Sequence, residues 1–276
     1  VALSLASRAV TGAYRDELMA IRNATTASAA RLWAGVDPTD IDASLVAPLA
    51  AIDALLSAAQ TRAVVLADLY LQTYMTVELG QVVEPYGLDP SVYAGHTRDG
   101  RRTSDVLALA SVSMKLAMAA GVSLAAVSAA GLARTARTVR TESVDAARTA
   151  QQTAMNGDDR IDGSQRATSG EPCAACLAAA GQHIADGEEA WPIHGACQCT
   201  AEPVTAGHRS LFGPATGAAL VAAMGAATAA RVYGEPTAEY VEAGGDLQAL
   251  VVVEPSHQWG DVLFAAPASS IPTLTD

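Results

Sequence analysis

Between Pro48 and Gly80 nothing in the chain interrupts a helix. Over the same stretch Leu49, Ile52, Leu56, Ala59, Ala63, Leu66, Tyr70, Thr73 and Val77 recur at the spacing of one helical face. The pattern predicts the longest helix of the chain over Leu45 to Leu79, about 30 residues past the proline or about 45 Å at the usual rise. Its neighbours follow the same rule. Val10, Tyr14, Leu18 and Ile21 mark an amphipathic helix over residues 1 to about 34, and Asp37-Pro38-Thr39-Asp40 breaks it. Asp40 or Asp42 then stands where a cap for the long helix belongs.

Gly80 ends the long run. Pro85, Gly87, Pro90, Gly95 and Gly100 make the stretch to Arg102 a turn-rich connector, with a short helical turn after Asp89. Thr103 or Ser104 is placed to cap a helix to about Ala120, Gly121 interrupts, and Ser123 opens another to about Met155. Asn156-Gly157-Asp158-Asp159 is a stop. Half of the residues are apolar but only 4% are aromatic. Alanine supplies the difference, which suits close-packed helices better than the thick core of a β-sandwich. The reading is a mainly α protein whose elongated helical N-terminal domain spans residues 1–157, with four or five helices.

The character then changes. Residues 158–205 read as a small α+β module, with a short strand at Ser164 to Thr168, a short helix from Cys173 to about Ile184, a loop from Asp186 to Pro192, and a strand at Cys197 to Val204. Residues 206–276 read as an acidic C-terminal segment with a helix at Pro214 to Val232 and short strands at Leu247 to Val253 and Asp261 to Ala265. After Arg231 no Lys or Arg occurs while seven acidic residues do, the mark of a solvated, weakly ordered tail.

All four cysteines fall in the middle module, within 27 residues: Cys173-Ala-Ala-Cys176, then His194-Gly-Ala-Cys197-Gln-Cys199. Each short hook can aim two sulfurs at one point, so the spacing is that of metal ligands, and soft thiolates favour zinc. Residues i and i+2 of a strand face the same way, so Cys197 and Cys199 can converge on one ion. Four thiolates, or three with His194, would close a tetrahedral shell and leave no open position for chemistry, making the zinc structural. Binding of that kind supplies about 10–16 kcal/mol in small modules, enough to fold a segment with little core of its own. Two disulfides or four buried free thiols are the alternatives. A reducing cytosol favours the metal.

The net charge of −12 argues against a general nucleic-acid binder. Arg8, Arg15 and Arg22 interrupt the N-terminal pattern, so no secretory leader is expected. The most membrane-like stretch, Ala215 to Ala230, is uncharged but short of the roughly 20 strongly apolar residues of a bilayer span, and is read as a soluble helix. Arg134, Arg137 and Arg140 recur every three residues, with Arg148 two turns on, as a basic stripe of one helix. Arg98, Arg101 and Arg102 form a second cluster in the connector loop. Either could dock an acidic partner, or simply pair with Glu142, Asp145 and the chain's other acids. His183, His208 with Ser210, and His257 stand without a supporting catalytic motif. No Gly-x-Ser-x-Gly, phosphate loop or His-Glu-x2-His helix occurs, so no enzyme is expected. Trp191, between the two hooks, is expected to pack over the metal.

A resemblance now enters on specific residues. Arg137, Arg140 and Glu142, Ala146-Ala147-Arg148, Asp158-Asp159-Arg160-Ile161-Asp162-Gly163, Ser169-Gly170-Glu171-Pro172-Cys173-Ala174-Ala175-Cys176 and His194-Gly195-Ala196-Cys197-Gln198-Cys199 together resemble the MuF-like minor head proteins of tailed bacteriophages. The helical first half and His257-Gln258-Trp259-Gly260-Asp261-Val262-Leu263 resemble the actinobacteriophage branch. Gly195 stands where that family usually has proline, which leaves the candidate ligands intact. The likeness is sharp over roughly residues 130 to 205. It implies a low-copy virion protein inside the capsid near the portal, made in the host cytoplasm, contacting the portal protein and the major capsid protein, and serving head assembly, genome packaging or delivery. A capsid maturation protease and a DNA-contacting internal head protein are the alternatives the resemblance brings with it.

Overall fold

A computed structural model describes residues 5–168, 173–181, 183–185, 197–205, 221–223, 225–245, 250–256 and 260–265. The chain is mostly helical, as its composition predicts, with one small three-stranded sheet. The elements are α1 (Leu5–Trp33), α2 (Ile41–Leu79), a 3-10 turn (Pro90–Val92), α3 (Thr103–Ala119), α4 (Leu124–Asn156), β1 (Ile161–Ala167), α5 (Ala174–Ala178), β2 (His183–Ala185), β3 (Thr200–Thr205), α6 (Ala226–Tyr233), α7 (Glu235–Glu242), β4 (Val251–Ser256) and β5 (Gly260–Ala265).

The long helix is longer than its pattern predicts. At 39 residues it starts ahead of Pro48, with Asp40 Oδ1 accepting from the Ala43 N–H at 3.4 Å as its cap. Pro48 is the eighth residue of this helix and forgoes one backbone bond there. By length and composition alone α2 is the one helix among the described residues apolar enough to cross a membrane. Ser123 caps α4, its Oγ accepting from Ala126 N–H at 3.3 Å. Thr103 does not cap α3. It is the first helical residue, and Arg102 holds the N-cap position without a side-chain bond.

The chain divides into two compact units. One comprises Val1–Arg15, Thr73–Val83 and Ala154–Asp276; the other comprises Asp16–Gln72 and Glu84–Thr153.

The first unit carries the sheet. β1 is its central strand, antiparallel to β2 through Gly163↔Ala185 to Gln165↔His183. It is also antiparallel to β3, through Ile161↔Thr205 to Ala167↔Thr200, with a register shift between Ile161 and Gly163. The Tyr74 hydroxyl, at the end of α2, donates to the Pro203 carbonyl at 3.1 Å, and Arg15 Nη1 of α1 donates to the Thr168 carbonyl at 3.0 Å. Two expectations fail here. The helix foreseen from Cys173 to Ile184 is only α5, because His183–Ala185 joins the sheet as β2. The strand foreseen from Cys197 begins only at Thr200. The C-terminal segment has packed elements of its own: Leu177 of α5 shares an apolar cluster with Val221, Ala229, Tyr240, Val241 and Leu250, and β4 and β5 pair as an antiparallel hairpin. The helix expected at Pro214 to Val232 is seen in its described part as Val221–Ala223 and α6.

The second unit is a helix bundle. Trp33, Ile52, Leu56, Leu107, Met114 and Val127 bring α1, α2, α3 and α4 into one core, and the Trp33 indole donates to Ser128 Oγ at 3.2 Å. Gly131 lets α4 close on this core. A Cβ there would lie 2.5 Å from the Trp33 ring and 2.6 Å from the Met114 side chain.

Polar clamps tie the connector to the bundle. Asp68 accepts from the Tyr86 and Leu88 N–H groups at 2.7 and 3.0 Å. Buried Gln60 accepts from Gly95 N–H at 2.8 Å, and its amide donates to the His96 carbonyl at 2.8 Å and the Glu142 carbonyl at 3.3 Å. Thr103 Oγ1 hydrogen-bonds Asp53. Glu142, fully buried, accepts from the Arg98 N–H at 3.3 Å through Oε2, while Oε1 has no hydrogen-bond partner among the described residues.

Burial pushes the Glu142 carboxyl up to about 8. The Asp145 and Asp99 charges add to the rise, and the Arg98 N–H and the Arg101 charge offset only part of it. The native state therefore keeps a proton that the unfolded chain releases near 4.5. The stability this contributes is complete below that value and is lost as pH rises toward 8, at up to about 1.4 kcal/mol per pH unit. Melting temperatures measured from pH 5 to pH 9, a range of roughly four units across that window, should show Glu142→Gln gaining on the wild type as pH increases. A gap independent of pH would mean that the carboxyl is ionised throughout.

Candidate metal centre

The cysteines are positioned by a helix start and by the approach to a strand. Cys173 is the N-cap of α5, in extended backbone, and its Sγ accepts from the Cys176 N–H at 3.4 Å, as a Ser or Asp cap would. That bond turns the chain so that Cys176, in the first turn, points inward. Cys197 and Cys199 lie just ahead of β3, and the Cys199 N–H donates to Cys197 Sγ at 3.4 Å. The two sulfurs converge as the i, i+2 spacing requires, but by a folded-back knuckle and not along a strand.

The two hooks meet. Cys176 Sγ and Cys197 Sγ are 3.5 Å apart, and the sulfurs of Cys176, Cys197 and Cys199 all lie within 4.8 Å of one another. All three residues are buried, and the four cysteines are unbridged. Sulfurs bound tetrahedrally to zinc at about 2.3 Å stand about 3.8 Å apart, so the three are close to the required geometry. Cys173 is exposed and stands outside the group of three, although its thiol hydrogen-bonds that of Cys176. His194 and Trp191 lie outside the described residues, as do His208, Ser210 and His257.

The electrostatics of the cluster favour a cation. Hydrogen bonding to Cys173, and then to Cys197 and Cys199, together with burial, holds the Cys176 thiol well above its ordinary range. At Cys199 a hydrogen bond from Cys176 pulls down, but the bond with Cys197 and burial outweigh it and push the thiol up to about 12. Three crowded, dry thiols resist ionising, first through the hydrogen bonds they share, then through burial and mutual repulsion. A bound divalent ion reverses that balance and displaces the protons. Cys176, Cys197 and Cys199 are thus the buried group that could hold a metal ion among the described residues.

Arg166, 3% exposed on β1, is a residue the sequence reading did not single out. Its charge favours the Cys199 thiolate. The available signal was a lone basic residue inside a predicted strand next to the cysteine module. Gln165 beside it donates to Glu202 Oε2 across the β1–β3 ladder at 3.0 Å.

The basic residues sort into two kinds. Arg148 is held by Asp145 at 2.7 Å and Arg101 by Asp99 at 2.8 Å. Arg134, Arg137 and Arg140 on α4 make no ion pair among the described residues, nor do Arg98 and Arg102. Of the acids expected to neutralise that stripe, Asp145 does pair with its last member, Arg148, whereas Glu142 is fully buried and makes no ion pair among the described residues. Arg98, His96 and Tyr93 line a cavity of about 370 Å³ against Ala146 and Thr149. The chain matches no protein-family model, no curated protein and no solved structure.

Elemental analysis of protein purified without chelator should find about one zinc per chain. Cys176→Ser and Cys199→Ser should each abolish it and lower the melting temperature. Comparing Cys173→Ser with His194→Ala assigns the fourth position, since only the true ligand's loss should weaken metal retention. Metal-free protein with an unchanged melting temperature would show that the cluster is held by packing alone.

Proposed function

We propose that this chain is a structural minor capsid protein of a tailed phage, MuF-like, docked inside the head at the portal vertex, where it supports head assembly, genome packaging or delivery. The observation that carries the reading is the convergence of Cys176 with Cys197 and Cys199. These are the cysteines on which the resemblance rests, and they meet at one point as a functional motif should. In this proposal the ion is a structural zinc that clasps residues 158–205 into a module between a helical domain over residues 1–157 and the acidic segment over residues 206–276. The zinc closes the shell and takes no part in catalysis. The helices offer long surfaces for the portal protein and the major capsid protein, and the net charge of −12 keeps the protein from adhering to packaged DNA.

A second reading is favoured by one observation. Arg134, Arg137 and Arg140 have no carboxylate partner among the described residues, so they are free for phosphate. This is the DNA-contacting variant of the same role.

Quantitative mass spectrometry and gold labelling of heads assembled with the wild type or with Cys176→Ser decide between these readings. The capsid proposal expects the wild type at one vertex and a several-fold loss of incorporation for the cysteine variant. Absence of the chain from finished heads would overturn it. The DNA reading requires affinity that falls steeply with salt, and a shallower slope once the three arginines are neutralised.

A further inference from the structure

A cavity of about 370 Å³ lies between the connector loop and the second half of α4. Its volume falls within the range of roughly 300–1,000 Å³ that holds small organic ligands. Tyr93, His96 and Arg98 line it from the loop, and Ala146 and Thr149 from the helix. The lining is of two kinds. Val92, Ala146 and the Tyr93 ring supply apolar surface, and Tyr93 packs against the buried cluster of Val64, Ala146 and Ala150. Arg98 and His96 supply polar groups.

The loop's own bonds set this shape. Gln60 holds the Gly95 N–H and the His96 carbonyl, at 2.8 Å each. Thr97 N–H donates to the Arg101 carbonyl, and Gly100 N–H to the Thr97 carbonyl, both at 2.8 Å. Arg98 N–H donates to buried Glu142 at 3.3 Å. Gly100, at φ +81°, takes the left-handed turn that brings the chain back. A cavity built on so constrained a backbone loses little freedom when it fills.

Which groups are already spent decides what the cavity suits. The Thr97 hydroxyl bonds Asp99, and the Thr149 hydroxyl donates to the Asp145 carbonyl at 3.0 Å. Asp99 pairs with Arg101 at 2.8 Å and Asp145 with Arg148 at 2.7 Å, so neither acid neutralises Arg98. The Arg98 guanidinium, the His96 ring and the Tyr93 hydroxyl make no hydrogen bond or ion pair among the described residues. On a chain of net charge −12, a half-buried arginine that meets no carboxylate is the unusual feature. Its planar fork matches the paired oxygens of a carboxylate or phosphate. The aromatic wall beside it matches a flat ring.

We propose that this cavity binds a small aromatic acid, its carboxylate or phosphate held by Arg98 and His96 and its ring laid against Tyr93. The site lies wholly within the helix bundle. It depends on neither a bound metal nor the proposed capsid role.

Isothermal titration of the full-length chain with benzoate, phenyl phosphate and uncharged benzamide tests the assignment. At least one of the two anions should bind with a dissociation constant in the millimolar range or tighter, and the tighter of the two identifies the acid group. Benzamide should bind at least about tenfold more weakly than that anion. Arg98→Ala keeps the backbone N–H on Glu142, so the fold should survive with an unchanged circular dichroism spectrum. It should weaken the anion by at least about tenfold. Failure of both anions to bind would overturn the proposal, as would binding indifferent to Arg98→Ala or benzamide matching benzoate. Polyglutamate bound through Arg98, with neither small anion bound, would assign the loop to an acidic polypeptide and overturn it too.

Discussion

Sulfur atoms from two hooks, 21 residues apart at their closest pair, share one dry space, and much of the first unit is arranged around that meeting. The cap at Cys173 aims Cys176 inward. The knuckle at Cys197 delivers Cys199 to the start of β3, where Thr200 pairs with Ala167. One position beyond Cys176, Leu177 is buried in the C-terminal apolar cluster. α5 is therefore held by sulfur through one residue and by hydrocarbon through the next. Five residues of helix would not persist in water without such anchors.

The helix bundle depends on a different device. Its core is ordinary close packing of small and medium side chains. Its connector, with little apolar content to bury, is held by polar side chains of helix α2. Asp53, Gln60 and Asp68 each reach out to backbone or hydroxyl groups of residues 86 to 103. Gln60 is fully buried and tolerable there only when satisfied, and its bonds, with those of the half-buried Asp53 and Asp68, hold the connector to one path. The basic cluster at Arg98 to Arg102 is thus displayed on a fixed loop.

Much of this was legible in the residues. Periodicity marked the first two long helices because an apolar stripe at a 3.6-residue spacing has few other uses, and caps and breakers marked the next two; the Asp89 turn and the Ser123 cap are local chemistry that needs no tertiary context. The convergence of Cys176, Cys197 and Cys199 followed from spacing. The misreadings share a cause. His183 and Ile184 looked helical because alanine dominates their surroundings, yet pairing with β1 decides their state. Thr103 looked like a cap because of its type, but Asp53, fifty positions away, takes its hydroxyl. Arg166 and Glu142 went unremarked, or were taken for surface charges, since burial of an ionisable group is set by what packs over it and leaves no periodic trace.

Gly131 shows what such packing implies for the chain's history. The Trp33 ring, the Met114 side chain and the missing β-carbon of residue 131 compete for a single volume contributed by three helices. No one of them can grow unless another shrinks. Sequence drift at this crossing is consequently a matter of exchange: a bulkier residue on α4 becomes permissible only in a lineage that has already surrendered its tryptophan or its methionine.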